Sequence, residues 1–170
     1  MLGTLIKILK VLNSETGPWQ LAFGVSLGML FGLTPLLSLH NLIVVLIALW
    51  CRVNLSLFFV SFGLFSAIAY LLDPVFHQTG YAVLNSNALL PLWTDWYNDA
   101  FLRWTRFNNT VVIGSLLIAL LALLPMTLLA RFGVRYYRQH WQAKLEKTPL
   151  MKWLQTTRVT EAFTRLGGSS

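Results

Sequence analysis

Apolar and polar positions fall along this chain in long blocks rather than short alternations. Residues 2–12 place Leu2, Leu5, Ile6, Leu9 and Leu12 on one face of a helix and Thr4, Lys7 and Lys10 on the other. That is the pattern of a helix lying at a membrane surface, basic residues toward the headgroups. The stretch Asn13-Ser14-Glu15-Thr16-Gly17-Pro18 then breaks it. Residues 16–51 contain no Asp, Glu, Lys or Arg. One straight helix over that run would be about 54 Å long, well beyond the ~30 Å hydrocarbon core of a bilayer. Thr34 precedes Pro35 near its middle, and the residue before a proline is pushed away from helical geometry. The run therefore predicts two legs, Trp19–Leu33 and Leu36–Trp50, each about 22 Å long, which make a helical hairpin over 19–50.

Two further apolar runs are long enough to cross a bilayer. Residues 55–72 form an uncharged run that closes at Asp73-Pro74, and residues 111–130 form one that closes at Arg131, with Pro125 predicting a kink near its basic end. Between them, 75–110 mixes Trp93, Trp96, Tyr97 and Trp104 with Asp95, Asp99, Arg103 and Arg106. Tryptophan and tyrosine favour the membrane interface, so this segment predicts a short interfacial helix or loop. The fold class that follows is an all-α membrane protein, with a membrane domain over 1–130, a basic tail over 131–166 and a linker-like Gly-Gly-Ser-Ser end over 167–170.

Charge fixes the orientation. Apolar residues make up 56% of the chain and charged residues only 11%, against a soluble norm near 25%. The net charge of +7 is concentrated: from Arg131 onward there are eight Lys/Arg and two Asp/Glu, while the first 130 residues nearly balance. Beside a membrane-embedded body, a basic tail reads as a cytoplasmic segment rather than a nucleic-acid surface. Arg131, Arg135 and Arg138 on one face, with Tyr136, Tyr137 and Trp141 interleaved, also suit contact with anionic lipid. With the tail inside, residues near 110 are outside, Asp73 is outside and Arg52 inside. If Lys7 and Lys10 are inside as well, the 19–50 run must enter and leave on the same side, with Thr34-Pro35 as the tip of the hairpin. One kinked span is the rival arrangement, and it would strand both lysines outside. The N-terminus shows no cleavable signal peptide, since its lysines lie within the apolar pattern and no small-residue cleavage site follows.

Gly24, Gly28 and Gly32 share one helix face. In lipid, helices associate through close packing, and small residues let backbones approach. Three partners fit: the second leg of the hairpin, the 55–72 helix, where Gly63 and Ala67 are four apart, or another copy of the chain. The hairpin also carries Thr34, Pro35, Ser38, His40 and Asn41. Polar groups inside an apolar run are costly unless paired or wet. They form either a small polar site at the tip or a set of partners for backbone groups that Pro35 leaves open. Arg52 and Asn54 precede the 55–72 helix. Asp73 follows it, most simply as a turn residue that ends the helix.

Catalytic patterns are missing. There is no Gly-rich phosphate loop, no HExxH, no Cys/His zinc spacing and no Gly-x-Ser-x-Gly elbow. Six acidic residues, none paired within an apolar run, form no acid/base dyad. Cys51 is the sole cysteine, so no disulfide or thiolate site is expected. Neither catalysis, a metal nor a cofactor is expected.

The stretches GPWQLAFGVSLGMLFGLTP, LHN, RVNLS and LLDPVFHQTG together resemble the small bacterial inner-membrane proteins grouped as domain of unknown function 2062. The matching positions are Gly24, Gly28, Gly32 and Pro35, then His40, then Arg52 and Asn54, then Asp73-Pro74 and Gly80. His40 stands where the family carries Gln, and Asp73 where it carries Asn. Both departures resemble a subgroup that also has a stretch like Arg106-Phe107-Asn108-Asn109-Thr110 before its last helix. The resemblance covers residues 17–130 and implies a multi-pass protein of a Gram-negative inner membrane, with no catalytic residue to carry over. It further implies a gene neighbour encoding a much larger envelope protein, of the class that bridges the two membranes to move lipids. The resulting expectation is a non-enzymatic subunit that anchors or feeds such a partner in phospholipid transport. The alternative is a homo-oligomeric transporter or channel for a small solute, with Thr34, His40 and Asn41 along its path.

Overall fold

The computed structural model describes residues 17–140, and within them every regular element is helical. The expected surface helix over 2–12, the tail beyond 140 and the linker lie outside the described residues. In chain order the helices are α1 (Pro18–Leu33), α2 (Leu39–Trp50), α3 (Leu55–Leu84), α4 (Leu90–Asn98), α5 (Ala100–Trp104) and α6 (Thr110–His140).

Pro18 opens α1 at a position where its missing N–H is not needed and its fixed φ already suits the helix. Thr34 ends it in an extended conformation (φ −100°, ψ 152°), as a residue before proline should. α1 is apolar all round and lies between α3 and α6. Leu27, Met29, Leu30 and Leu33 are buried in one core with Phe58 and Phe76 of α3 and Ala119 of α6, and Leu21 is buried in a second cluster with Leu57 of α3 and Val134 of α6.

Helix directions follow from which residues meet. Gly24 faces Asn54, Gly28 faces Phe58 and Gly32 faces Phe62. Both numbers rise by four together, so α1 and α3 run parallel. Their starts are joined directly, with the Asn54 amide donating to the Gln20 carbonyl at 3.4 Å. Ser26 meets Thr127, while Phe76 and Gly80 meet Gly114 and Thr110, so α6 runs antiparallel to both. Two parallel neighbours that start side by side need a returning connection, and α2 is that return. Residues 19–50 therefore turn back on themselves, with the start of α1 and the end of the run at one end of the bundle.

The hairpin is short. From the Ser26–Thr127 contact, α1 continues only to Leu33, whereas α6 continues to Thr110. At 1.5 Å per residue the tip stops about 15 Å short of the far end of α6.

Three boundaries differ from the sequence expectation. α3 does not close at Asp73-Pro74; it continues through Pro74 to Leu84, so Asp73 is a residue within the helix and not a turn that ends it. Proline removes one backbone hydrogen bond, which is tolerated where neighbouring helices hold the element on both sides of it. Here Phe76 and Gly80, beyond the proline, bury against α6. The first part of the expected 75–110 segment is thus helix α3, and only α4 and α5 remain as short helices. Finally, α6 passes through both Pro125 and Arg131, so Arg131, Arg135 and Arg138 lie on its last turns rather than in a separate tail.

An aromatic group closes the far end. Trp93 of α4 stacks on Phe107 at 5.9 Å, Trp96 meets Phe107 edge-on at 5.6 Å, and the Trp93 indole N–H donates to the Val83 carbonyl at 3.2 Å. These contacts tie α4 to the end of α3 and to the turn before α6.

Candidate functional site

The glycine face of α1 lies against the backbone of α3. A Cβ at Gly24 would come within 2.8 Å of the Asn54 carbonyl oxygen, and one at Gly32 within 2.7 Å of that of Phe62. At Gly28 it would run into the Phe58 carbonyl oxygen. The partner is therefore the 55–72 part of α3 in the same chain, but not through the residues expected. Gly63 and Ala67 point outward, and nothing lies within 4 Å of a Cβ built on Gly63. The facing residues are Asn54, Phe58, Ser61 and Phe62.

A second close crossing joins α6 to α3. Gly114 of α6 lies against the Phe76 carbonyl, and Gly80 of α3 against Thr110. Its signal was the small pair Gly114-Ser115 inside the last apolar run. Hydroxyls bind the three helices where glycines do not. Ser61 donates to the Val25 carbonyl at 2.6 Å, and Thr127 donates to Ser26 Oγ at 2.7 Å, which itself donates to the Ala22 carbonyl. Such interhelical hydrogen bonds hold bundles together in lipid, where the hydrophobic effect between helices is absent.

The polar residues of the hairpin gather at its tip. Thr34 and Asn41 are 4% and 1% exposed. The Thr34 hydroxyl lies 2.9 Å from the Leu30 carbonyl and 2.8 Å from Asn41 Oδ1, and Asn41 Nδ2 donates to the Pro35 carbonyl at 3.0 Å. Ser38 Oγ donates to the same carbonyl at 2.7 Å and lies 2.9 Å from His40 Nε2. These bonds cross-link the turn around Pro35, and they engage Thr34 and Asn41 with one another and with backbone.

At the opposite end, Asn54 caps α3, its Oδ1 accepting from the Leu57 amide at 3.1 Å. Arg52 makes the turn into α3 with a left-handed backbone (φ 48°) and is exposed. The Arg131 guanidinium stacks 3.9 Å from the Trp19 ring centre, so it holds α6 to the start of α1 instead of extending freely toward lipid. Arg135 is exposed. Asp73 is exposed as well, and borders a hollow of about 330 Å³ with Thr34, Tyr70 and Val111. Among the described residues no three His, Cys, Asp or Glu side chains come together.

Above the tip lies a larger hollow, of about 630 Å³. The turn and α2 supply an apolar wall, and the α5 region supplies Arg103, Trp104 and Arg106. In the sequence these arginines belong to the aromatic segment between the two long apolar runs, and no local motif links them to the hairpin residues that face them here.

No solved structure matches this chain. It is similar to an "Uncharacterized protein" of Treponema pallidum (strain Nichols), 28% identical over 145 residues that cover 85% of this chain and 90% of that protein. The profile of the family described as "Uncharacterized protein conserved in bacteria (DUF2062)" matches residues 6–142, which takes in every described helix, and the chain belongs to that family.

Proposed function

We propose that this protein is a non-enzymatic subunit of a bacterial inner membrane that anchors or feeds a larger envelope protein, in phospholipid transport between membranes. The observation that carries this reading is the short hairpin beneath an open hollow. α3 and α6 are long and apolar enough to cross a membrane, while α1 and α2 stop about 15 Å below the far end of α6. A re-entrant hairpin of that depth thins the bilayer beside it and eases withdrawal of a lipid at the outer face.

Polarity supports the orientation. Arg52, Arg131 and Arg135 gather at the end where α1 and α3 begin and α6 finishes, which suits the cytoplasmic face. At the other end Arg103 and Arg106 are offset by Asp95 and Asp99. The engagement of the hairpin's hydroxyl and amide groups in its own turn supports a structural rather than a catalytic role. The glycine face is occupied within the chain, so a partner would meet the outward faces of α2 and α3.

The test is co-purification from native membranes followed by reconstitution. One dominant large partner, and lipid transfer that falls when the small protein is omitted, is the expected result. Transfer unchanged by its omission would overturn the proposal, and a symmetric oligomer of this chain alone would favour a solute transporter.

A further inference from the structure

We infer that the hollow above the hairpin tip is a binding site for one anionic phospholipid, its phosphate held by Arg103 and Arg106 and an acyl chain laid along Leu36, Leu37 and Leu42. The inference deepens the lipid-handling reading by naming the lipid class and the residues that select it.

The two walls of the hollow differ in kind. Leu36, Leu37 and Leu42 line one side and are 56%, 93% and 57% exposed. Among the described residues, no neighbour covers most of their apolar surface. The other side brings Arg106 and, three residues before it, Arg103, whose guanidinium lies 5.8 Å from the Tyr97 ring centre, and among the described residues no acidic side chain lines the space. The nearest acidic groups in sequence do not fill that gap: Asp99 turns its carboxylate back to cap α5, accepting from the Phe101 and Leu102 amides at 2.8 and 2.9 Å.

Arg106 reaches this position through a left-handed backbone (φ 57°), a conformation that non-glycine residues rarely take without a local reason. The reversal after α5 brings it to the hollow that Arg103 also lines. Guanidinium forks match phosphate oxygens in a bidentate manner.

The charge pattern selects the occupant. A zwitterionic headgroup would bring a cation beside two arginines with no carboxylate in the lining to accept it. A free phosphate ion would satisfy the arginines and leave the leucine wall wet. An anionic phospholipid satisfies both walls at once.

The experiment uses the full chain, purified in detergent and delipidated, and titrated separately with dioleoylphosphatidylglycerol and dioleoylphosphatidylcholine under native mass spectrometry. The anionic lipid should be retained about tenfold more tightly, the scale of a lost charge-assisted contact. Arg103→Gln combined with Arg106→Asn should bring the two lipids to near parity; asparagine keeps the left-handed backbone accessible. Leu37→Glu changes no packed contact, places a carboxylate opposite the arginines, and should lower retention of the anionic lipid alone. Arg52→Asn, an exposed residue at the other end of the bundle whose left-handed backbone asparagine also tolerates, should change nothing. Equal retention of the two lipids by the unaltered protein would overturn the inference, as would a preference that survives the double variant. So would a preference lost with Arg52→Asn, which would mark diffuse charge, or displacement by millimolar inorganic phosphate, which would mark an ion site only. Failure here would leave the subunit proposal standing, because transfer with the partner is measured separately.

Discussion

α1 and α2 come from one uncharged run, yet they have opposite fates. Ten of the sixteen residues of α1 are buried, against three of the twelve of α2. Both are apolar enough to leave water, so hydropathy does not separate them. The difference lies in small and hydroxyl-bearing residues. α1 carries Gly24, Gly28, Gly32 and Ser26, which let it seat against the backbone of α3 and bond to α6. α2 has bulky residues on most positions, and Leu42, Leu46, Leu49 and Trp50 face outward. Apolar side chains bring a segment into the bilayer; side-chain size then decides whether it meets protein or lipid.

The most severe way to break this comparison is to give the seam of α1 a side chain. In Gly28→Leu the new Cβ would meet the Phe58 carbonyl and, at 2.9 Å, Ser61 Cβ. Neither is the free end of a flexible chain, so α1 must move off α3 as a unit. Overpacking of a core commonly costs ~1–3 kcal/mol, and a clash with backbone belongs at or above the top of that range. Unfolding in mixed micelles should show the loss. Gly63→Leu, the same change on the outward face of α3, should stay within ~0.5 kcal/mol. Equal losses from the two would erase the distinction between seam and outer face.

That pair also shows what could be read from sequence. The spacing of Gly24, Gly28 and Gly32 reveals a face, and the structure uses that face. It does not reveal which residues lie opposite, because that depends on the relative rotation of two helices far apart in the chain. Gly63 and Ala67 have the right spacing and the wrong rotation. The break at Thr34-Pro35 was legible because an uncharged run of that length cannot be one span, and the return of α2 followed from charge placement. The passage of α3 through Pro74 was not legible: proline's tendency to end helices is a rule for water, and here contacts beyond Pro74, at Phe76 and Gly80, keep the helix going. The hollow lined by Arg103 and Arg106 left no local trace, since its walls come from separate parts of the chain.

A milder break targets the turn that separates α1 from α2. Asn41→Leu keeps the branched outline of the side chain but is bulkier, and it removes the donor to the Pro35 carbonyl and the partner of Thr34. Loss of buried hydrogen bonds of this kind costs ~1–3 kcal/mol. Thr34→Val removes the other side of the contact. If the tip is one network, the double variant should cost less than the two single losses added, by ~0.5 kcal/mol or more. Strict additivity would mean that the two side chains act separately on the backbone. Smaller again is Ser26→Ala, which deletes the acceptor for Thr127 while Thr127 keeps the Leu123 carbonyl; a loss near ~0.6 kcal/mol is expected.

The smallest expected effect, that of truncating Leu46, sharpens the contrast most. Leu30 of α1 is 3% exposed and Leu46 of α2 is 57% exposed, so the same truncation to alanine tests burial alone. Leu30→Ala leaves a cavity among α1, α3 and α6 and should cost ~2–5 kcal/mol. Leu46→Ala exchanges one hydrocarbon contact for another in detergent or lipid and should stay within ~0.5 kcal/mol. Carried out in native membranes, the Leu46 experiment has a second use. Lipid closes around a truncated side chain at little cost, whereas a packed partner helix leaves a void. A small effect in detergent and a large one in native membranes would mean that the outward face of α2 is covered by protein in the cell, as the proposed envelope partner requires. A small effect in both would move that contact away from Leu46, to another part of α2 or to the exposed face of α3.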